Sequence, residues 1–532
     1  MQQLQLKMNQ HHSDVTRLTV VCGMAFLLWG SLLGQQNLIP IHSFYKDHLF
    51  ANKTEASYNG GSFFPVNESE YDLISAINDS TKQYYDFTHT LFQKYLFEIR
   101  GDDYYLKISP AIDFSMGQDL NDTISRRLFQ NTRGVHVEGT LFSNFSFSTA
   151  LYENQGRYVN YETAYYASLG ELYPGSDSTY APHNAVIPGG GRTKPFKGDG
   201  FDYAYAVGYF VYAPFKFLSV TAGNNAQFVG DGHRSILLSD NSYSAPYFRV
   251  DWKISPKFSF SYMRSRHMNL LRRPASGSVE SYYEAKGYSV NYFTYKPIDK
   301  ISISLFESGE WSRGDSITSK NSHPLYYNPV PFLSGLALQG KNEVVSLLGL
   351  NLSYQVANHH RLYGQVAIND FDTKKAGFQL GYRGYNYFGL KDFMLQVEYN
   401  NVANRMYEND NRRLNSVHYN LPLAHVKGNG FQEFVLRTNY EIKRVYAEVT
   451  AVYYLLSNYS STALLPYHVA QTPSTNTVMF TSVELGYRFN RKMNFSVFGN
   501  WTYRTIDDPN MLTANHFNIG IRTGFINHYK DF

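Results

Sequence analysis

From residue 104 to about residue 525, apolar and polar residues alternate with a period of two, which sends successive side chains to opposite faces of a β-strand. Leu106, Ile108, Ile112, Phe114 and Met116 alternate with Lys107, Ser109, Asp113 and Ser115. Val135, Val137, Leu141, Phe145, Phe147 and Leu151 alternate with His136, Glu138, Thr140, Asn144, Ser146 and Ser148. The pattern returns at residues 203–211, 248–252, 258–262, 288–292, 301–305, 348–354, 362–368, 378–382 and 393–399, and in further segments up to residue 525. About sixteen such segments, with an even number required for closure, predict an all-β fold: one closed antiparallel transmembrane β-barrel of about 16 to 18 strands. The apolar set is expected to face lipid and the polar set the lumen.

Short connectors such as residues 297–300 and 490–492 alternate with long polar ones at 170–200, 401–430 and 458–477, the asymmetry of tight periplasmic turns and long outer loops. No motif repeats at a fixed period, so a soluble propeller or solenoid is not indicated. The last alternating stretch runs from His516 to Phe525, and the chain ends on Phe532, a pattern resembling the terminal signal of outer-membrane insertion.

Before the alternation the chain reads differently. Lys7 and Arg17 precede an apolar run over residues 18–33, followed by Gly34, Gln35 and Gln36, which predicts a signal peptide over 1–34. Residues 35–100 form an N-terminal periplasmic or plug segment, with a helix expected over 84–96, where Phe87, Leu91, Tyr95 and Leu96 fall at helical spacing. Residues 101–532 form the outer-membrane barrel.

Composition supports this reading. The 46 Tyr, 38 Phe and 4 Trp suit a boundary that is apolar on one side and wet on the other. A mean hydropathy of −0.38 and the single helix-length apolar run exclude a polytopic helical membrane protein. The formal charge of +4 without any long run of like charges argues against nucleic acid as a partner. The one cysteine, Cys22, lies in the leader, so disulfides and thiol chemistry are not expected of the mature chain. The 17 His show no zinc-ligand spacing, and no nucleophile or phosphate-loop motif is present. No metal, cofactor or catalytic residue is therefore expected, and the protein is expected not to be an enzyme.

Residues 224–241, NNAQFVGDGHRSILLSDN, break the alternation between two strands. Asp231, His233, Arg234, Asp240 and Asn241 are the candidate ligand or lumen residues. They either bond sugar hydroxyls or form an internal salt-bridged constriction, or they hold the segment against the wall. Within it, Gly230 to Asn241 is expected to fold inward or across the mouth, with Gly230 and Gly232 allowing a tight path and a wall carboxylate pairing with Arg234.

The stretch FVGDGHRSILLSDNSYSAPYFRV resembles the RemB-like gliding-motility outer-membrane proteins of Bacteroidetes, related to the capsule-assembly Wzi family. NTRGVHVEG (131–139), TALYENQGRY (149–158), YYNPVPF (326–332), LLGLNLSY (347–354), RLYGQVAINDF (361–371) and HYNLPLAHVKGNGFQE (418–433) agree in order. The resemblance implies a barrel with a small N-terminal element and selects Asp231, Arg234 and Asp240, then Asn328, Pro329 and Pro331, then Gln365 and Asp370, and finally Pro422, His425 and Glu433. His233 departs from it, standing where an aromatic is expected. The implied function is binding or anchoring of surface (capsular) polysaccharide or support of gliding motility. The alternatives are an accessory subunit of a larger secretion or gliding complex and a passive porin-like channel. Expected partners are outer-membrane lipid and lipopolysaccharide, surface polysaccharide and other outer-membrane proteins, in the outer membrane of a Gram-negative cell.

Overall fold

The computed structural model describes residues 37–51, 62–67, 95–124, 126–142, 144–172, 182–272, 283–313, 328, 330, 333, 337, 344–457, 463–466, 475–507 and 513–532. Among the described residues eighteen wall strands follow one another, each antiparallel to its neighbours. They are β1 (Tyr104–Pro110, resuming as Asp113–Asp119), β2 (Arg127–Leu141), β3 (Phe145–Arg157), β4 (Gly200–Phe215), β5 (Leu218–Asn225) and β6 (Ala245–Ser255). Next come β7 (Phe258–Arg272), β8 (Tyr283–Tyr295), β9 (Ile301–Ser312), β10 (Val344–Ala357), β11 (His360–Asn369) and β12 (Asp372–Tyr385). The last are β13 (Met394–Val402), β14 (Phe431–Ile442), β15 (Val445–Leu456), β16 (Thr477–Asn490), β17 (Phe495–Ile506) and β18 (Ala514–Thr523). β18 pairs with β1, with Phe517 opposite Gln118 and Ile521 opposite Phe114, so the sheet closes and the wall has no open edge.

At one end the strands are joined by tight turns. Phe142, His359, Lys443 and Asn494 take φ of +48°, +66°, +57° and +48° there, the left-handed backbone that hairpins use to follow strand twist. At the other end most connections are longer, the turn of Asp370 and Phe371 between β11 and β12 excepted, and those over 158–199, 226–244 and 403–430 carry structured segments. The expected signal peptide over 1–34 lies outside the described residues, as do residues 84–94 of the expected helix. Its last two residues are not helical and lead into a short strand, Phe97–Arg100, paired with β1.

The outward face carries exposed Leu151, Phe248, Leu352, Leu380, Leu436 and Ile519, whereas Asn351, Gln365, Gln396, Glu398 and Glu433 point inward and are buried. Apolar outside and polar inside reverses the soluble arrangement and suits a wall surrounded by hydrocarbon. Two strands depart from the expected facing. Tyr203, Tyr205, Tyr209 and Val211 of β4, and Tyr288, Val290 and Tyr292 of β8, are buried in the interior. In β4 the alternate residues turn outward, as Phe210 does, 58% exposed. The reason is that the lumen is packed with chain, so rings gain burial on the inside, and tyrosine hydroxyls find partners there, as Tyr158 and Tyr203 do at 3.0 Å.

Among the described residues, several segments fill the interior. The helix α1 (Ser43–Ala51) is largely buried, with Asp47 bound to Arg437 of β14 at 3.2 Å and Tyr45 donating to the Lys492 carbonyl at 3.0 Å. A second helix, α2 (Asn160–Ser168), follows β3. The chain after β18 turns back inside, where Phe532 stacks on Tyr165 of α2 at 3.9 Å. Phe532 is thus buried in the lumen and does not end the final strand as an insertion signal would; β18 stops at Thr523 and the tail has packed away from the wall.

Candidate functional site

The segment over 226–244 leaves β5, enters the lumen and returns to β6. Phe228 and Val229 pair with Phe64 and Phe63 of the N-terminal segment, joining two distant parts of the chain in a two-stranded ribbon. Gly230 follows with φ +134°, and a Cβ there would collide with the Gln365 amide nitrogen. A Cβ on Gly232 would stand 2.6 Å from Glu398 Oε2. Both glycines let the backbone touch the wall, as their spacing around Asp231 led one to expect.

Wall side chains then satisfy this backbone. Glu398 of β13 accepts from the His233 and Arg234 amides at 2.8 and 3.1 Å. Gln365 of β11 accepts from the Ile236 amide at 2.9 Å and donates to the Val229 carbonyl at 2.9 Å. Gln379 of β12 donates to the Arg234 carbonyl at 3.0 Å. Inside a low-dielectric lumen each of these exchanges replaces water that the buried peptide has lost.

Arg234 is the hub. Its Nε donates to Glu433 of β14 at 3.1 Å, and its terminal nitrogen meets Asp531 of the tail and the Tyr454 hydroxyl, the latter at 3.3 Å. Glu433 also contacts His425 Nε2 at 2.7 Å and accepts from Asn400 at 2.7 Å. Burial alone lowers the Arg234 guanidinium's pKa, but Asp531, Tyr454 and Glu433 outweigh it and hold the group well above the ordinary arginine value. Burial, followed by the charges of Arg234, Arg437 and Lys46, pushes His233 well below the histidine range, so its ring is neutral and packs edge-on against Tyr529 at 5.9 Å.

The remaining candidates fall into place around this hub. Asp231 accepts from Ser62 at 2.8 Å and lies 3.6 Å from Arg361. Asp240 holds the tail, accepting from Tyr529 at 2.7 Å and Asn527 at 2.8 Å. Asn241 donates to the Pro422 carbonyl at 3.4 Å. Asp370 lies apart, in the turn after β11 with φ +50°, accepting from the Ser346 amide at 3.0 Å. Asn328 is among the described residues, while Pro329 and Pro331 lie outside them. Sequence reasoning missed Asn351, Gln379, Glu398, Asn400, Tyr454, Tyr529 and Asp531. The wall members occupy ordinary inward positions of the alternation, which marks them as lumenal but not as partners of one loop. The tail members carry no pattern.

Above this layer, residues 403–430 lie against the run, with the Tyr407 hydroxyl donating to the Ile236 carbonyl at 2.8 Å and the Ser239 amide to the Leu423 carbonyl at 2.8 Å. At this loop end Tyr243 and Tyr419 are half-buried, their rings 4.6 Å apart. A cavity of about 290 Å³ remains beside the filling, lined by α1, Glu162 of α2, His233, the tail, inward residues of β1–β4 and β15–β18, and Arg383 of β12 and Arg437 of β14.

No protein-family model matches the chain, and no curated protein matches it in sequence. Among solved structures, it is similar to Wzi, an outer-membrane protein involved in group 1 capsule assembly in Escherichia coli and described as a carbohydrate-binding β-barrel. The TM-score is 0.54 at 11% identity, over 91% of this chain and 98% of Wzi. The fold resembles that barrel throughout. Pseudomonas aeruginosa OccK7 matches with TM-score 0.43 and 7% identity over 80% of this chain and 99% of its own, and Acinetobacter baumannii OccAB4 with 0.41 and 7% over 80% and 98%. The likeness to Wzi is one of fold, that of a closed outer-membrane β-barrel.

Proposed function

We propose that this protein sits in the outer membrane as a sealed barrel whose loop-side mouth binds or anchors surface polysaccharide, without a catalytic step. The observation that carries the reading is the filled lumen. The run, the tail and α1 are bonded to the wall and to one another, as Arg234 is to Glu433 and Asp531 and Asp47 to Arg437, so the candidate residues Asp231, Arg234 and Glu433 hold the filling in place. A passive open pore has no use for such a filling, whereas a rigid platform does. The mouth supplies aromatic faces for sugar rings in Tyr243 and Tyr419. The likeness to the Wzi fold agrees with this assignment. The gliding branch of the resemblance rests on the sequence blocks and would make the same anchoring serve movement; recovery of other outer-membrane proteins with the native chain separates an accessory subunit from a self-sufficient anchor.

The test is retention of polysaccharide on cells carrying Tyr243→Ala with Tyr419→Ala, alongside binding of the purified native and variant proteins to polysaccharide from the same cells. The expected result is folded barrel at normal level with reduced retention and binding. Full retention and binding would remove the mouth from the function.

A further inference from the structure

The cavity beside the lumen filling is lined at its α1 side by Lys46, Asp47, Arg383, Arg437 and His233. Arg383 of β12 is 2% exposed, and its Nε and one terminal nitrogen reach no acceptor among the described residues. Its guanidinium stacks on Phe50 at 4.3 Å, a contact that supplies no counter-charge. Lys46 is likewise buried, with Nζ 3.5 Å from the centre of the Phe228 ring and no carboxylate in ion-pair contact among the described residues. Only Arg437 of these three cations is matched, by Asp47 at 3.2 Å and Gln396 at 2.9 Å.

The other nearby carboxylates are already engaged. Asp231 serves Ser62 and Arg361, Asp240 serves Tyr529 and Asn527, and Asp531 and Glu433 share Arg234. On the far side of the cavity Arg522 is paired with Glu484, and Glu448 lies 3.8 Å from Arg488. Asp47 and Asp231 act on Arg383, and Asp240 and Asp47 on Lys46, only from beyond ion-pair contact, so two buried cations line a polar cavity without a carboxylate touching them among the described residues, an arrangement that an anionic ligand completes. The space, about 290 Å³, holds roughly ten waters at about 30 Å³ each, enough for a small hydrated anion. Gly232 adds no side chain to that wall.

We propose that Arg383 and Lys46, supported by Arg437, form a lumenal binding site for one small oxyanion of the phosphate, sulfate or carboxylate type. The planar fork of Arg383 grips two oxygens of such a group while Lys46 supplies a point charge. This site is independent of the polysaccharide reading at the mouth, because it lies beneath the buried run.

The full chain, purified in detergent and freed of multivalent anions, is titrated calorimetrically with sulfate, phosphate, galacturonate and glucose at constant ionic strength. The expected result is saturable binding of about one anion per chain, weakened tenfold or more in Arg383→Gln and in Lys46→Met and unchanged in Arg133→Gln, whose side chain is exposed elsewhere. Binding of the inorganic anions alone assigns the site to a free oxyanion, and binding of galacturonate assigns it to an acidic sugar; either supports the proposal. No saturable binding, equal binding of glucose, or full affinity in both variants overturns it. Where the variants fail to fold, crystals of the native chain soaked in selenate decide: an anomalous peak beside Arg383 supports the site, and peaks only elsewhere overturn it.

Discussion

Replacing Arg234 by methionine is the sharpest perturbation of the lumen. The guanidinium is 3% exposed and bridges two carboxylates, Glu433 with no exposure and Asp531 with 4%. Methionine fills much of the volume but leaves both acids in the interior without their cation. Glu433 keeps Asn400 and His425, and Asp531 keeps Tyr454 at 2.8 Å, so hydrogen bonding survives and the loss is mainly of charge compensation. Removing one partner of a buried pair costs about 3–5 kcal/mol, or roughly two to three and a half powers of ten in the unfolding equilibrium. Denaturant unfolding in detergent, followed by tyrosine fluorescence and by heat-dependent gel mobility, measures the change. The double variant Arg234→Met with Glu433→Gln should recover more than about 1 kcal/mol of that loss, since it removes one stranded charge. A single-variant loss below about 1 kcal/mol, or strict additivity in the double variant, would refute the account of Arg234 as the hub.

Lysine at Val449, on the outward face of β15, should cost about 2–4 kcal/mol near the bilayer midplane, whereas lysine at neighbouring Thr450 opens onto the cavity and should leave barrel yield in the outer membrane intact. Asn351 also points inward, but it bonds Tyr292 at 3.3 Å and Gln365 at 3.1 Å, so lysine there should lower yield despite the polar face. Phe532→Ala removes a ring stacked on Tyr165 and should destabilise by about 3–5 kcal/mol in the same unfolding assay; insertion into the outer membrane should continue, and its failure would restore Phe532 as an insertion signal. Burial pushes the Lys46 ammonium down to about 7, with Asp240 and Asp47 raising it and Arg383 and Arg437 lowering it further. Its charge is present below that pH and lost above it, so sulfate, which stays ionised throughout, should bind more tightly at pH 6 than at pH 8. A flat calorimetric profile would place Lys46 outside the anion site.

The period-two pattern by itself determined the wall: an antiparallel sheet, closed because so many strands could not be left with free edges, apolar on one face and polar on the other. It also marked residues 230–241 as chain that leaves the wall, because a run without alternation cannot keep one face to lipid. Facing in β4 and β8 was not legible there, since an alternation of tyrosines fits a lipid boundary and a packed interior equally well. Nor was the site's composition. Glu398, Gln379 and Asn400 look in sequence like any other inward residues, and Asp531 is a lone acid in a patternless tail. Only closure of the barrel brings β11 to β15, the run and the tail within hydrogen-bond reach of one another. The tertiary structure decided those partnerships because a buried charge is held by whichever groups the fold places beside it, and period along the chain carries no information about neighbours across the lumen.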